Sequence, residues 1–149
     1  MNRCIVVADD DPTIVSLVKL RLELAQYDVV GTNDAVAAVA MVRARTPAAV
    51  ILDVQMPGGG GLSALAKIKA DPQLSGLPVM MLTGERDTAM VMQAMGAGAG
   101  DYMVKPFQPD QLLERINRLV RSSAMVWASA PSNPPANKVP AGKVGVWEL

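Results

Sequence analysis

Apolar residues occur along the chain in two alternating kinds of segment. Five short runs, rich in Val, Ile, Leu and Met, mostly lack polar alternation, which is typical of strands buried on both faces of a sheet. The longer segments between them repeat apolar residues at helical spacing, most clearly at Leu112, Ile116 and Leu119. The short runs predict strands at Cys4–Ala8, Tyr27–Gly31, Ala49–Leu52, Pro78–Leu82 and Tyr102–Val104.

Proline, glycine and aspartate mark the boundaries between these segments. Asp11 and Pro12 fit a helix cap followed by proline in the first turn, and Pro57 with Gly58–Gly61 forms a loop before the third helix. The result is five β-α units in sequence. Because short strands joined by helical crossovers form a parallel sheet covered on both faces, the pattern predicts a doubly wound α/β fold.

The composition changes after Ser123. Half of the residues in the chain are hydrophobic, which is enough for a real core. From Ala124 onward, however, Ala, Ser, Pro, Asn, Lys and Gly dominate, which is typical of a linker or flexible tail. We therefore expect one folded domain at residues 1–123 and a Pro/Ala/Ser-rich linker or flexible tail at residues 124–149.

Charge and composition exclude several classes of function. Lysine and arginine number 14, as do aspartate and glutamate, so no net charge draws the chain to nucleic acid or to a membrane surface. No apolar run reaches the roughly 18 residues of a membrane span, and a single cysteine fits a reducing cytoplasm. The lack of histidine excludes Ser-His-Asp and Cys-His catalysis. We expect a cytoplasmic protein that does not itself bind nucleic acid or membranes.

Polar residues follow four of the predicted strands at the point where each strand ends. Asp9 and Asp10 follow the first strand, Asp53 the third, Thr83 the fourth and Lys105 the fifth. The ends of parallel strands meet at one edge, so a joint site is favoured, although each residue alone is more often a cap or turn residue. Clustered carboxylates repel one another, and Mg²⁺ or Mn²⁺ would relieve that repulsion. This arrangement suits phosphoryl transfer to a carboxylate.

Four motifs of the chain carry a family resemblance. They are Val7-Ala8-Asp9-Asp10-Asp11-Pro12, Leu52-Asp53-Val54-Gln55-Met56-Pro57, Met81-Leu82-Thr83-Gly84 and Gly100-Asp101-Tyr102-Met103-Val104-Lys105-Pro106-Phe107. In this order and spacing, over about residues 2–122, the chain resembles the receiver domain of two-component response regulators. The resemblance implies a flavodoxin-like receiver fold, with five strands in the order 2-1-3-4-5 and five flanking helices.

The resemblance also implies roles for the acidic residues. Asp53 is similar to the phosphoacceptor of the family, and Asp9 and Asp10 to the acidic pair that organises Mg²⁺. Gln55 would offer its backbone carbonyl as a further metal ligand. Gly60 stands where the family usually carries an acid before the last glycine of this loop, and the run Gly58–Gly61 predicts a mobile loop beside the site.

A second group of residues is similar to the conformational switch of the family. Thr83 matches the hydroxyl that moves to the phosphoryl group, and Tyr102 matches the aromatic residue that turns inward with it. Lys105 would pair with a phosphoryl oxygen, and the bond between Lys105 and Pro106 is commonly cis in the family.

The resemblance implies partners and an output face. A histidine kinase or a histidine phosphotransfer protein would supply the phosphoryl group, and a downstream effector domain or protein would respond. In the family, the output face is formed by the fourth helix, the fifth strand and the fifth helix. Residues 107–116 resemble the branch whose receivers precede DNA-binding domains, and that branch often dimerises through this face. Its candidate residues here are Met90, Met92, Met95, Asp101 and Arg115.

Two other functions stay open at this point. A pseudo-receiver would act as a binding module without phosphorylation, but such modules usually lose an acid, the threonine or the lysine. A phosphatase or phosphomutase with an aspartyl nucleophile would carry a second acid two residues after the first, where Gln55 stands, and a cap domain. The switch is therefore the favoured interpretation, with a phosphoacceptor that assists its own phosphorylation and dephosphorylation rather than an enzyme.

Overall fold

One parallel sheet forms the centre of the molecule. The computed structural model describes residues 3–84 and 88–129. The five strands lie in the order β2-β1-β3-β4-β5, which confirms the predicted order. Their bounds differ from the predicted ones by no more than one residue at any end. They are β1 (Cys4–Ala8), β2 (Asp28–Thr32), β3 (Ala49–Asp53), β4 (Val79–Thr83) and β5 (Asp101–Val104).

Helices alternate with the strands and cover both faces of the sheet. They are α1 (Pro12–Leu24), α2 (Ala35–Arg45), α3 (Gly60–Ala70), α4 (Thr88–Gly96) and α5 (Pro109–Ser129). Helices α1 and α5 pack against one face, and α2, α3 and α4 pack against the other. A hydrophobic core lies on each face of the sheet. Because successive side chains of a strand point to opposite faces, Ile51 lies in the core under α1 and α5, and its neighbour Leu52 lies in the core under α2, α3 and α4.

Burial explains why the central strands are uninterrupted apolar runs. Every residue of β3 and β4 is buried, since both strands are covered on both faces.

Capping aspartates set the starts of two helices. Asp11 accepts a hydrogen bond from the Thr13 amide at 2.9 Å, which confirms it as the cap of α1. Asp34 does the same for α2 through the Ala37 amide at 2.7 Å.

Helix α5 continues past Ser123, where the sequence predicts the folded domain to end. It runs to Ser129, because residues 124–129 contain neither glycine nor proline and so nothing in them breaks a helix. The rest of the predicted tail, residues 130–149, lies outside the described residues. Among the helices that the structure describes, none is both long enough and apolar enough to cross a membrane.

Candidate functional site

Four of the candidate residues stand at one edge of the sheet. Asp9 comes directly after β1, Asp53 ends β3, Thr83 ends β4 and Lys105 comes directly after β5. All five strands are parallel, so these positions share the carboxyl edge. Asp9 is fully buried and Asp53 is only 4% exposed. Carboxylates are rarely buried to this extent unless something pairs with them.

One lysine pairs with both buried carboxylates. Lys105 Nζ lies 2.7 Å from Asp9 Oδ2 and 3.4 Å from Asp53 Oδ1. Asp9 Oδ1 accepts a hydrogen bond from the Asp11 amide at 2.9 Å, and the Gln55 amide approaches Asp53 Oδ1 at 3.4 Å. Asp9 Oδ2 accepts no well-aligned hydrogen bond from the described residues. A single ammonium therefore faces two carboxylates, and the site keeps an excess of negative charge.

Burial and the neighbouring charges change the protonation of the site. Burial raises the pKa of Asp53 to about 6, and the nearby charge of Asp9 contributes to the rise while Lys105 opposes it. Burial by itself would lower the pKa of Lys105, but its contacts with Asp9 and Asp53 outweigh that effect and the pKa is raised. The lysine is thus charged at neutral pH. The pKa of Asp53, at about 6, lies only moderately below neutral pH.

The acidic residues fit a hard divalent cation. Asp9, Asp10 and Asp53 each offer a carboxylate oxygen within 4.8 Å of the others, and Asp10 is exposed. The buried Asp9 Oδ2, which accepts no well-aligned hydrogen bond from the described residues, gives such an ion an oxygen ligand that is only ion-paired. Carboxylate oxygens beside open solvent are the ligands of Mg²⁺, which keeps several waters. The donor set therefore suits Mg²⁺ and does not suit a soft metal.

The candidate switch residues lie on the neighbouring strand ends. Thr83 is buried at the end of β4, and its carbonyl accepts a hydrogen bond from the Lys105 amide at 2.7 Å. The bond between Lys105 and Pro106 is cis. Tyr102 on β5 is 36% exposed, so a substantial part of its surface is accessible to solvent.

The methionines of α4 differ in exposure. Met92 is 68% exposed, whereas Met90 and Met95 are half-buried against the core that lies under α2 and α3. Because Met90 and Met92 point to different sides of the helix, one face cannot hide both. The helix therefore presents Met92 to solvent.

The two charged residues of the candidate output face contact each other within the chain. Arg115 Nη1 lies 3.4 Å from Asp101 Oδ1 and donates a hydrogen bond to the Tyr102 carbonyl at 2.8 Å. The guanidinium of α5 thereby holds the edge strand β5. The pair lies at the start of β5, whereas the acidic cluster lies at the carboxyl edge of the sheet.

A close contact with the backbone of Asp53 is not evident from the sequence. Gly61, in the first turn of α3, lies so near β3 that a Cβ atom on it would be 2.2 Å from the Asp53 carbonyl oxygen. The run Gly58–Gly61 was the available signal, but the run predicts a mobile loop and does not indicate which glycine packs against the acid.

Comparison with known proteins settles the family. The model of the response regulator receiver domain matches residues 5–117 of this chain. The chain belongs to the response regulator receiver domain family. The matched residues include the whole acidic cluster and the strands β4 and β5, which carry Thr83 and Tyr102.

Relatives and solved structures agree with this assignment. The receiver is 35% identical over 121 residues to the DNA-binding response regulator MtrA of Mycolicibacterium smegmatis, covering 81% of this chain and 52% of that protein. It is 30% identical to the alkaline phosphatase synthesis transcriptional regulatory protein PhoP of Bacillus subtilis, covering 100% of this chain and 60% of that protein. The chain thus spans little more than half the length of these curated relatives.

A solved structure shows the same fold. A CheY-like response regulator receiver domain protein from Methanospirillum hungatei superposes with a TM-score of 0.79 at 26% identity, covering 84% of this chain and 98% of that one. The five-stranded sheet and its flanking helices are therefore the CheY-like receiver fold.

Proposed function

We propose that this receiver works as a phosphorylation switch with Asp53 as its phosphoacceptor. One observation carries the proposal: Asp53 is buried at the sheet edge, beside Asp9, and its Oδ1 lies 3.4 Å from the ammonium of Lys105, which also pairs with Asp9. A buried acid in this arrangement has a raised pKa, which is typical of functional carboxylates. The phosphoryl group would come from the phosphohistidine of a histidine kinase or a histidine phosphotransfer protein.

The transfer itself requires an ionised Asp53. With a pKa of about 6, the side chain is mostly ionised at neutral pH. One of its oxygens bonds to phosphorus while the N–P bond of the phosphohistidine breaks, and the leaving imidazole keeps the electron pair and takes a proton from water. Lys105, already 3.4 Å from Asp53 Oδ1, stabilises the charge on the phosphoryl oxygens.

Metal binding is part of the proposal. The carboxylates of Asp9, Asp10 and Asp53, with the backbone carbonyl of Gln55, would hold Mg²⁺ or Mn²⁺. Bound there, the ion supplies positive charge that offsets the phosphoryl oxygens. The residues of the chain do the rest: they orient the acceptor oxygen and keep the ammonium of Lys105 close to it.

The response to phosphorylation starts from the same contacts. The new phosphoryl oxygens compete with Asp9 for Lys105 and offer acceptors to the hydroxyl of Thr83. Tyr102 is exposed before phosphorylation and would turn inward as Thr83 moves. Met90, Met92, Met95, Asp101 and Arg115 then form the surface that changes. Its reader would be an effector domain or protein, or a second copy of the chain.

The receiver would carry this switch in residues 1–123, and the later residues would serve as a linker or tail. MtrA and PhoP are named as a DNA-binding and a transcriptional regulator, and each is longer than this chain. By likeness to them, we infer that a downstream effector domain or protein is the target of this receiver. Loss of the phosphoryl group from Asp53 by hydrolysis would reset it.

The deciding experiment is intact mass spectrometry after incubation with acetyl phosphate and Mg²⁺, beside an Asp53→Asn variant. We expect one phosphoryl adduct on the native chain, none after EDTA treatment and none on the variant. Asp34→Asn is the matched control, because Asp34 caps α2 and is absent from the acidic cluster. A folded native chain that takes no adduct would contradict the switch and favour a receiver that binds its partner without phosphorylation.

A further inference from the structure

The first turn of α3 lies directly against the backbone of Asp53. A Cβ atom built on Gly61 would be 2.2 Å from the Asp53 carbonyl oxygen and 2.9 Å from the carbonyl carbon. Real Cβ atoms essentially never approach other atoms within 3.0 Å. Gly61 also lacks the positive φ angles of Gly58, Gly59 and Gly60, so it is the missing side chain that this position requires.

Hydrogen bonds hold the same segment on its other sides. The Gly61 amide donates to the Val54 carbonyl at 2.9 Å, and the Val54 amide donates to the Leu82 carbonyl at 2.8 Å. Strand β3 itself pairs with β1 on one side and β4 on the other. The peptide that follows Asp53 is therefore fixed between β4 and the start of α3.

We propose that Gly61 is a positioning residue for the acceptor and for the metal. By letting α3 approach the Asp53 carbonyl, it fixes the backbone that aims the Asp53 carboxylate at Lys105 and presents the Gln55 carbonyl two residues later. This inference rests on the proposed function of Asp53. It assigns to the last glycine of the run a role that loop mobility does not explain.

A methyl group at this position would displace the acceptor. The distance from the new Cβ atom to the Asp53 carbonyl oxygen would have to increase from 2.2 Å to at least 3.0 Å. Both sides resist, since β3 is paired on both edges and α3 buries Leu65 and Ile68. A displacement of about 1 Å in an active site can cost about a hundredfold in rate.

The test compares Gly61→Ala with two controls in the full chain. Gly96→Ala adds a methyl group where nothing lies within 4 Å, and Ala64→Gly weakens α3 without adding any atom near Asp53. We would record the backbone amide resonances of residues 53–55 by NMR, titrate Mg²⁺ against them, and measure phosphorylation by acetyl phosphate. Thermal unfolding of each variant reports on its stability.

For Gly61→Ala, we expect shifted amide resonances at residues 53–55, about tenfold weaker Mg²⁺ binding and about tenfold to a hundredfold slower phosphorylation. The controls should stay within about twofold of the native chain in Mg²⁺ binding and rate, even where Ala64→Gly is less stable. Native Mg²⁺ binding and rate in Gly61→Ala would overturn the proposal. An equal loss in Ala64→Gly would do the same, because it would reduce the effect to helix stability.

A second pair of variants covers the case in which Gly61→Ala does not fold. In Gly60→Ala the new methyl group would lie 2.9 Å from the Val54 carbonyl oxygen, whereas in Gly59→Ala it would meet only the side chain of Ser63. Both glycines have positive φ, so the backbone strain is matched. Weaker Mg²⁺ binding in Gly60→Ala alone supports the proposal, and equal binding in the two variants refutes it. If the native chain takes no phosphoryl group, the proposed function fails, while the resonances and the Mg²⁺ titration still decide the role of Gly61.

Discussion

Two regions of the receiver each contain a partly buried lysine, and the two lysines have different partners. At the carboxyl edge of the sheet, Lys105 Nζ contacts the carboxylates of Asp9 and Asp53 at 2.7 Å and 3.4 Å. In the last turn of α3, Lys69 Nζ instead donates hydrogen bonds to the carbonyls of Ser75 and Leu77 at 3.0 Å and 2.8 Å. The pKa of Lys105 is raised because its carboxylates outweigh burial, whereas burial lowers the pKa of Lys69 to about 8.

The difference shows what each region is built for. Lys69 ties the segment before β4 to α3 through two hydrogen bonds. Because the accepting carbonyls are neutral, the lysine can lose a proton and still donate both hydrogen bonds. At the sheet edge, more acids than bases are buried together, which lowers stability but leaves the site attractive to a cation. An arrangement that costs stability and favours a reaction is the mark of a functional site.

Replacing the two lysines should separate these regions most clearly. Lys105→Met removes the cation beside the acceptor, so we expect phosphorylation of Asp53 to slow by about tenfold to a hundredfold. Lys69→Met makes the same substitution at a half-buried lysine whose partners are the carbonyls of Ser75 and Leu77, and the rate should change by less than about twofold. The measurement is the rate of adduct formation by intact mass, at a temperature where both variants are folded. Equal slowing in the two variants would contradict the comparison.

Removing the acceptor carboxylate should make the protein more stable. A raised pKa means that folded Asp53 binds a proton more tightly than unfolded Asp53 does, so stability falls as the pH rises from about 4 to about 6. Without Mg²⁺, we expect Asp53→Asn to raise the free energy of unfolding at pH 7.5 by about 1–2 kcal/mol. The full pKa change would give about 3 kcal/mol before solvent screening is counted.

Urea denaturation in EDTA at pH 7.5 and pH 5 checks this prediction. The gain should shrink at pH 5, where Asp53 is protonated for most of the time in the folded protein. Asp10→Asn is the matched control, because Asp10 belongs to the same cluster but is exposed, and its replacement should change stability less. An Asp53→Asn variant no more stable than the native chain would show that Lys105 compensates the buried charge fully.

The sequence predicts the sheet well because its signal is local. Each central strand is an uninterrupted apolar run, and each run ends where a polar residue such as Asp53 or Thr83 reaches the edge. The strand order came from the family resemblance, since hydrophobic spacing carries no information on which strands pair. The domain boundary at Ser123 rests on the change in composition and not on hydrophobic spacing, and α5 itself runs to Ser129.

Contacts between remote segments could not be predicted from the pattern. Asp101 and Arg115 were expected on an output face, but only the structure shows that they pair with each other, because their distance depends on how α5 packs on β5. The contact of Gly61 with Asp53 and the carbonyl partners of Lys69 depend in the same way on the path of the chain. Sequence identifies which chemical groups reach the edge, and packing decides which of them contact one another.

The smallest expected effect concerns Lys69. Since its pKa is lowered to about 8, unfolded Lys69 binds a proton more tightly than folded Lys69 between about pH 8 and pH 10.5, and stability rises with pH through that window. The stability of the native chain relative to Lys69→Met should therefore increase by about 0.5–1 kcal/mol from pH 8 to pH 9.5. Urea denaturation of both proteins at the two pH values measures this difference, in which the titration of all other groups cancels. The neutral amine still has two N–H groups for its two carbonyls, so the hydrogen bonds survive and only the buried charge is lost. If this difference in stability stays constant or decreases with pH, the carbonyls of Ser75 and Leu77 stabilise the charged lysine enough to offset its burial. The contrast with Lys105 would then lie in the chemistry of the site alone.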